Sequence, residues 1–259
     1  MTDIIGTSGD DSLLAGDASS QRVFGLAGND TLVGGAGWRD QYLSGGDGDD
    51  SLRGGSGYSQ ILDGDAGNDT LVAGSLFQVL SGGAGMDWLE GSGGSFQTLN
   101  GDAGNDTVLA GLGAAQLSGG DGADSLLGNS GWHQTLNGDT GGDTLVAGDQ
   151  LISTSWYHLL SGGADDDSLQ GNQGPYQTLN GDTGNDTLVA GGGLDERVFG
   201  GDDDDSLLGS ATADRLEGGA GNDTLAGGFG DNELDGGVGD DVILAGNITL
   251  TDIYALFAT

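Results

Sequence analysis

The sequence predicts an all-β chain wound into a right-handed parallel β-roll, a β-solenoid of about 13 coils. Three observations predict it: a recurring glycine-aspartate phrase, aliphatic residues at a fixed nine-residue spacing across that phrase, and 58 glycines among 259 residues with a single proline. That glycine content lacks the Gly-X-Y period of collagen and comes without the proline of an extended linker, so a different regular use of glycine is implied.

The phrase reads Gly64-Asp-Ala-Gly-Asn-Asp-Thr-Leu71, then Gly101-Asp-Ala-Gly-Asn-Asp-Thr-Val108 and Gly181-Asp-Thr-Gly-Asn-Asp-Thr-Leu188, with looser copies between. Its last aspartate falls at Asp11, Asp30, Asp50, Asp69, Asp87, Asp106, Asp124, Asp143, Asp167, Asp186 and Asp205, mostly 18 to 20 residues apart. Beyond these the copies come every nine residues, at Asp214, Asp223, Asn232 and Asp241. Nine residues is therefore a half-turn and about nineteen a coil. On this count Asp223 and Asp241 continue the first side, while Asp214 and Asn232 fall on the other.

The aliphatics fix the geometry further. Each well-formed phrase has a branched aliphatic two residues before its first glycine and another two after its last aspartate, as in Leu62 with Leu71 and Leu99 with Val108. The spacing across the phrase is nine from Val23 to Leu32, Leu43 to Leu52, Leu80 to Leu89, Leu136 to Leu145 and Leu160 to Leu169. Across the opposite half-turn it varies: nine from Leu71 to Leu80, ten from Leu52 to Leu62, eleven from Leu32 to Leu43 and fifteen from Leu145 to Leu160. One side of the coil is constrained and the other is free to vary. A short strand about each aliphatic, with glycine at the corners, places the leucines inside as stacked columns. The expectation is one domain, 1–259: coils of about nineteen residues over 1–207, nonapeptide coils over 208–246, and an apolar tail over 247–259.

Charge decides the class of partner. With 41 acidic against 5 basic residues and a formal charge of −36, the chain offers no phosphate-tracking surface for nucleic acid and repels anionic membranes. Such a chain would be disordered unless a regular pattern and counter-charge intervened. No cysteine is present to form a disulfide framework. No run approaches eighteen apolar residues, and Met1 to Asp11 does not read as a cleavable signal.

Aspartates stacked one rung apart place carboxylates about 5 Å from one another, and each such pair repels by roughly 3 kcal/mol at an effective dielectric near 20. A dozen pairs would exceed the stability of an ordinary domain. A hard divalent cation between successive turns removes the repulsion, and mixed carboxylate and backbone-carbonyl oxygens suit calcium better than magnesium. The metal-ligand candidates are thus Asp11, Asp30, Asp50, Asp69, Asp87, Asp106, Asp124, Asp143, Asp167, Asp186, Asp205, Asp214, Asp223 and Asp241. The expected complement is roughly 10–14 Ca2+ ions; about a dozen would carry ~+24 and bring the net charge to about −12, so folding is expected to be coupled to calcium.

The phrase resembles the glycine-glycine-x-glycine-x-aspartate-x-aliphatic-x nonapeptide of repeats-in-toxin (RTX) proteins over nearly the whole chain. The resemblance implies that the sixth-position aspartate chelates calcium with its carboxylate while carbonyls of the glycine turn complete the shell. Gly45, Gly82, Gly119, Gly162, Gly218 and Gly236 begin matching turns. The pattern departs at Asn232, at Asp165 and Asp203 in place of the fourth-position glycine, and around Ser210 to Asp214. It further implies export without an amino-terminal signal, through a type I system, to the cell surface or medium.

On the opposite side, two residues before the aliphatic, stand Gln21, Gln41, Gln60, Gln78, Gln97, Gln134 and Gln177, interrupted by Ala115, His158 and Glu196. Same-face spacing turns them inward, where their amides are expected to bond from rung to rung. One residue earlier lie Phe77, Phe96, His133, Tyr157 and Tyr176, with Trp132 and Trp156 adjacent: an outward aromatic stripe, or rings folded over the edge of the core. Val146 to Leu159 reads as a protruding loop. The apolar tail Ile248 to Thr259 reads as an end cap or, by the resemblance, as a secretion signal.

No nucleophile, base and orienting group come together in the pattern, so no enzyme is expected. The leading expectation is a secreted calcium-binding structural or surface protein. Two alternatives stand beside it: an ice-binding module, against which the uneven outward positions Ala66, Asp121, Thr140 and Met86 count, and a carbohydrate-binding adhesin using the aromatic stripe. Head-to-tail self-assembly through exposed strand ends is also open to a solenoid.

Overall fold

The computed structural model describes residues 2–16, 20–37, 40–74, 76–94, 96–129, 131–148 and 157–246. Trp156, most of the expected protruding loop and the apolar tail lie outside the described residues. Among those described there is no helix, and 26 strands alternate between longer and three-residue segments. They fall into two compact units, Met1–Gly131 and Trp132–Thr259.

In the first unit the long strands Thr2–Ile5, Gln21–Ala27, Gln41–Asp47, Ser59–Ala66, Phe77–Ala84, Phe96–Ala103 and Ala114–Asp121 pair in parallel in that order. The short strands Ser12–Leu14, Thr31–Val33, Ser51–Arg53, Thr70–Val72, Trp88–Glu90, Thr107–Leu109 and Ser125–Leu127 make the facing parallel sheet. Registers are set by the repeat itself: Gln41 opposes Gln60, Leu43 opposes Leu62, and Leu52 opposes Leu71. The second unit repeats the plan with long strands Gln134–Thr140, His158–Ala164, Gln177–Thr183, Arg197–Asp202, Arg215–Ala220 and Glu233–Val238. Its short strands are Thr144–Val146, Ser168–Gln170, Thr187–Val189, Ser206–Leu208, Thr224–Ala226 and Val242–Leu244. The expected parallel solenoid is what forms.

The two aliphatic columns are the core. Val23, Leu43, Leu62, Leu80 and Leu99 on the long strands, and Leu32, Leu71, Leu89 and Val108 on the short ones, are fully buried. Period-two alternation puts every second long-strand residue outside, which leaves one aliphatic and one ladder residue of each long strand to fill the interior. Each buried leucine contributes on the order of 1.5–3 kcal/mol, and no coil has more than this narrow layer to bury.

The corners explain the glycines. The second and fourth positions of the phrase take positive φ, as at Gly83 (107°) and Gly85 (141°), where an L residue with a Cβ is strained. Aspartate tolerates the second position at Asp65, Asp102, Asp139 and Asp182. Asp165 and Asp203, the departures at the fourth position, adopt the same positive φ of 77° and 79°, so these turns keep their path despite losing glycine.

Candidate metal centre

The phrase brings the predicted aspartates into one buried column in each unit. Asp30, Asp50, Asp69, Asp87, Asp106 and Asp124 are at most 3% exposed in the first unit, as are Asp143, Asp167, Asp186, Asp205 and Asp223 in the second. The two oxygens of each carboxylate are placed differently. Its Oδ1 accepts from the backbone N–H of the preceding coil's aspartate, from Asp11 to Asp30 (2.7 Å), Asp50 to Asp69 (2.7 Å), Asp87 to Asp106 (2.7 Å) and Asp186 to Asp205 (2.8 Å). Its Oδ2 is the atom of interest. At Asp30, Asp50, Asp69, Asp87, Asp106, Asp167, Asp186, Asp205 and Asp223 this oxygen is buried with no hydrogen-bond partner among the described residues.

That oxygen points at the first glycine of its own turn. A Cβ placed on Gly101 would lie 2.5 Å from the carbonyl oxygen of Gly119 and closer still to Asp106 Oδ2. Gly25, Gly181, Gly200 and Gly218 meet the same pair of oxygens, one from their own aspartate and one from the next coil's glycine. An anionic and a carbonyl oxygen therefore close on one point that only glycine leaves open, rung after rung. A buried carboxylate oxygen without a partner costs several kcal/mol, and a hard cation with oxygen ligands is what this donor set fits. No three carboxylate or imidazole side chains converge on one point among the described residues. Each turn supplies one inward carboxylate, so backbone carbonyls must complete any shell built around it.

The electrostatics agree. Burial first, then neighbouring carboxylates, push Asp69, Asp167 and Asp205 up to about 7 and Asp50, Asp87 and Asp186 up to about 6; Asp106 and Asp223 are raised as well. These are groups that lack a positive partner.

Not every predicted ligand is equivalent. Asp11 Oδ2 accepts from the N–H (2.5 Å) and hydroxyl (3.0 Å) of Thr7, and Asp214 Oδ2 from the N–H (2.7 Å) and hydroxyl (2.8 Å) of Ser210. A hydroxyl at the second turn position thus takes the oxygen that elsewhere has no partner. Asp214 sits in the opposite column, where its N–H donates to Asn232 Oδ1 (2.9 Å) as the near-side aspartates do to one another. Asp241 closes the described near-side column by accepting from Asp223 N–H (3.0 Å).

A second ladder runs outside the first, at the residue before each aspartate. Asn29 N–H donates to Asp10 (2.9 Å), Asp49 to Asn29 (3.1 Å) and Asn68 to Asp49 (2.8 Å), each through the side-chain Oδ1 of the earlier coil. It points the opposite way from the inner ladder. In the second unit Asp166, Asn185, Asp204, Asn222 and Asp240 repeat it. Charged and neutral residues alternate, which keeps like charges two rungs, roughly 10 Å, apart. Over these residues the alternation is visible in the sequence itself, at the position before each inward aspartate.

On the far side Gln21, Gln41, Gln60, Gln78, Gln97, Gln134 and Gln177 all point inward. The bonds of Gln41, Gln60 and Gln97 correct the expected amide-to-amide ladder: they go to the turn backbone, while Gln78 also reaches the Ser92 hydroxyl and Gln177 a side chain of the next rung. Gln41 Nε2 donates to Gly35 O (2.6 Å) and its Oε1 accepts from Gly55 N–H (3.3 Å), so one side chain ties its own turn to the next. Gln97 does the same with Ser92 O (2.6 Å) and Gly111 N–H (2.8 Å). The amide reaches past its neighbour to satisfy loop groups that the uneven turns leave inside.

Two residues interrupt this column with ionisable groups. Glu196 Oε1 accepts from Gln177 Nε2 (2.9 Å), and burial, then the charge of Asp214, push its carboxyl up to about 7. His158 is 1% exposed, and neither ring nitrogen has a hydrogen-bond partner among the described residues. Burial, then His133, hold it down at about 4 against an ordinary 6.5. The unfolded chain therefore takes up the proton first, and stability present above pH 6.5 is lost as pH falls toward 4, by up to roughly 3 kcal/mol for this group. His158→Gln, which restores the column, is expected to flatten the acid side of the melting-temperature profile at saturating calcium. Coincident profiles for the two proteins would remove this account of His158.

The aromatic stripe is outward, as one of its two readings had it. Phe96 is 61% and Tyr157 62% exposed. Rings pack along it: Tyr58 lies tilted against Phe77 (5.0 Å), and Phe77 stacks on Phe96 (5.8 Å) in the first unit. In the second, His133 stacks on Tyr157 (6.2 Å) and Tyr157 on Tyr176 (5.7 Å).

The chain matches the model of the RTX calcium-binding nonapeptide repeat (4 copies) over residues 16–38, 44–75, 78–95, 98–117, 159–174, 177–207, 191–225 and 217–247, well over half its length. No curated protein matches it. Among solved structures it is similar to a hyperactive, Ca2+-dependent, β-helical antifreeze protein from an Antarctic bacterium. That similarity has a TM-score of 0.50 at 19% identity, covering 95% of this chain and 86% of the other, and is one of fold.

Proposed function

Because the chain belongs to the family of RTX calcium-binding nonapeptide repeats, we propose that it is a secreted, non-catalytic structural or surface protein that folds when it meets calcium outside the cell. The observation that carries this reading is the column of buried Oδ2 atoms facing glycine carbonyls in consecutive turns, carboxylate oxygens that have no hydrogen-bond partner among the described residues. Where free calcium is held at cytosolic levels the column repels itself and the chain stays open for export. Outside, cation binding is folding.

Limited proteolysis across free calcium from about 0.1 µM to about 1 mM, the span between the tighter calcium sensors and extracellular modules, tests the reading. Rapid cleavage at the low end and protection at the high end are expected, with magnesium failing to protect. Equal resistance throughout would remove the link between calcium and export.

A second reading, ice binding, has one observation in its favour: the short strands carry an outward column of hydroxyls, with Thr144, Ser168, Thr187, Ser206 and Thr224 in consecutive register. In the first unit Trp88 interrupts the same column between Thr70 and Thr107. Thermal hysteresis in the calcium-loaded protein, abolished by Thr187→Leu, would favour ice; its absence leaves the structural reading.

A further inference from the structure

The second unit holds an open cleft of about 680 Å3 whose walls include Tyr157, Tyr176, Asp195, Arg197, Phe199 and Arg215. Its chemistry differs from that of the rest of the surface. The chain has 5 basic residues in all, and two of them, Arg197 and Arg215, stand in adjoining rungs here. Arg215 is engaged by Glu217 (3.1 Å) and Glu233 (3.9 Å). Arg197, exposed in the same column, has no ion-pair partner among the described residues.

Beside these cations the ring stack comes to an end. His133, Tyr157 and Tyr176 occupy successive rungs, and the next rung in that column carries Asp195, so no ring covers Tyr176 from that side. Tyr157 remains 62% and Tyr176 39% exposed, which is too open for rings whose task is to seal the edge of the core. Tyr176 also sits at φ 61°, a conformation that a bulky residue seldom adopts and glycine adopts freely. The backbone is held against its preference in a way that keeps a ring at this spot.

We propose that this cleft is a saccharide-binding site that takes a neutral pyranose, stacked on Tyr176. The ring face receives the C–H face of the sugar, the free guanidinium of Arg197 donates to sugar hydroxyls, and the Asp195 carboxylate accepts from them. An aromatic platform with a few converging polar groups is the usual make-up of a small-ligand site. Charge selects the class of sugar: Asp195, Asp231 and Glu233 also line the cleft, and the chain carries −36 overall, so uronate-bearing polymers are repelled.

The test is calorimetry on the full calcium-loaded chain with neutral gluco-, manno- and xylo-hexaoses, and an oligogalacturonate as charged control. Binding of at least one neutral hexaose is expected, weakened roughly tenfold or more in both Tyr176→Gly and Arg197→Ala. Tyr176→Gly removes the ring while suiting the backbone, and Tyr176→Phe should retain affinity. Arg197→Ala alters an exposed side chain without a partner, so it stays informative if the glycine variant folds poorly. Circular dichroism and calcium stoichiometry should be unchanged in Arg197→Ala. Failure of every neutral hexaose to bind at millimolar concentration, binding of the uronate alone, or affinity indifferent to both substitutions would each overturn the proposal.

Discussion

Chelating calcium at neutral pH is expected to abolish the β-sheet circular-dichroism signal, and acidifying the calcium-free chain is expected to bring part of it back. Both outcomes follow from the same carboxylates. In the metal-free fold burial, then neighbouring charge, raise Asp69, Asp167 and Asp205 to about 7 and Asp50, Asp87 and Asp186 to about 6, from 3.8. A raised folded-state value means that the unfolded chain loses its proton first. The contribution to stability is then fully present below 3.8 and lost as pH rises through 6 and 7. His158 has the opposite sign but is one group against many. Once calcium is bound the slope reverses, because protons then compete with the cation for ionised oxygens. Titrations with and without chelator over about pH 4–8 should therefore run in opposite directions. A β signal indifferent to chelation, or parallel profiles, would refute the coupling.

The second large effect is expected from a single methyl group. Gly101→Ala places a Cβ at the point where Asp106 Oδ2 and the carbonyl oxygen of Gly119 converge. Steric crowding alone should cost about 1–3 kcal/mol, and displacing the cation adds to that. Gly93→Ala is the internal control, since a Cβ there meets nothing within 4 Å. Asp106→Asn separates charge from shape: the amide oxygen can still accept from Asp87 N–H, at 2.7 Å in the native chain, while the anion is gone. It should weaken folding in calcium yet leave the calcium-free chain no less stable, a change of sign that a merely structural aspartate would not produce. Calcium titrations followed by circular dichroism, with stoichiometry from calorimetry, read all three variants. Equal midpoints for Gly101→Ala and Gly93→Ala would place the cation elsewhere.

Much of this architecture was legible before any coordinates. The nine-residue step from Leu43 to Leu52 fixes a corner, and its recurrence fixes both core columns and the inward column of aspartates. The inward turn of Gln41 and Gln97 follows from strand periodicity alone. Their partners do not: where an amide finds a carbonyl depends on the path of a far-side turn whose length changes from coil to coil, and periodicity says nothing about that path. The same uncertainty hid Tyr58, a far-side turn residue whose ring lies against Phe77. Thr7 and Ser210 show another limit: a hydroxyl in place of the second turn residue reads as a weaker repeat, whereas in space it occupies the oxygen a cation would otherwise want.

The uneven far-side turns have a consequence for assembly. A chain made of near-identical phrases is always at risk of mis-threading, since the phrase ending at Asp69 would fit against the one ending at Asp106 almost as well as against its proper neighbour. Slippage by half a coil is blocked because it would drive a glutamine into the place of an aspartate. Slippage by a whole coil is not blocked by either column. What resists it is irregularity: steps of nine, ten, eleven and fifteen residues between far-side aliphatics make the coils up to Leu179 differ in length from their immediate neighbours, so a misaligned stack there leaves loops too long or too short. The departures that blur the repeat on the page serve, in the folding chain, to number the rungs.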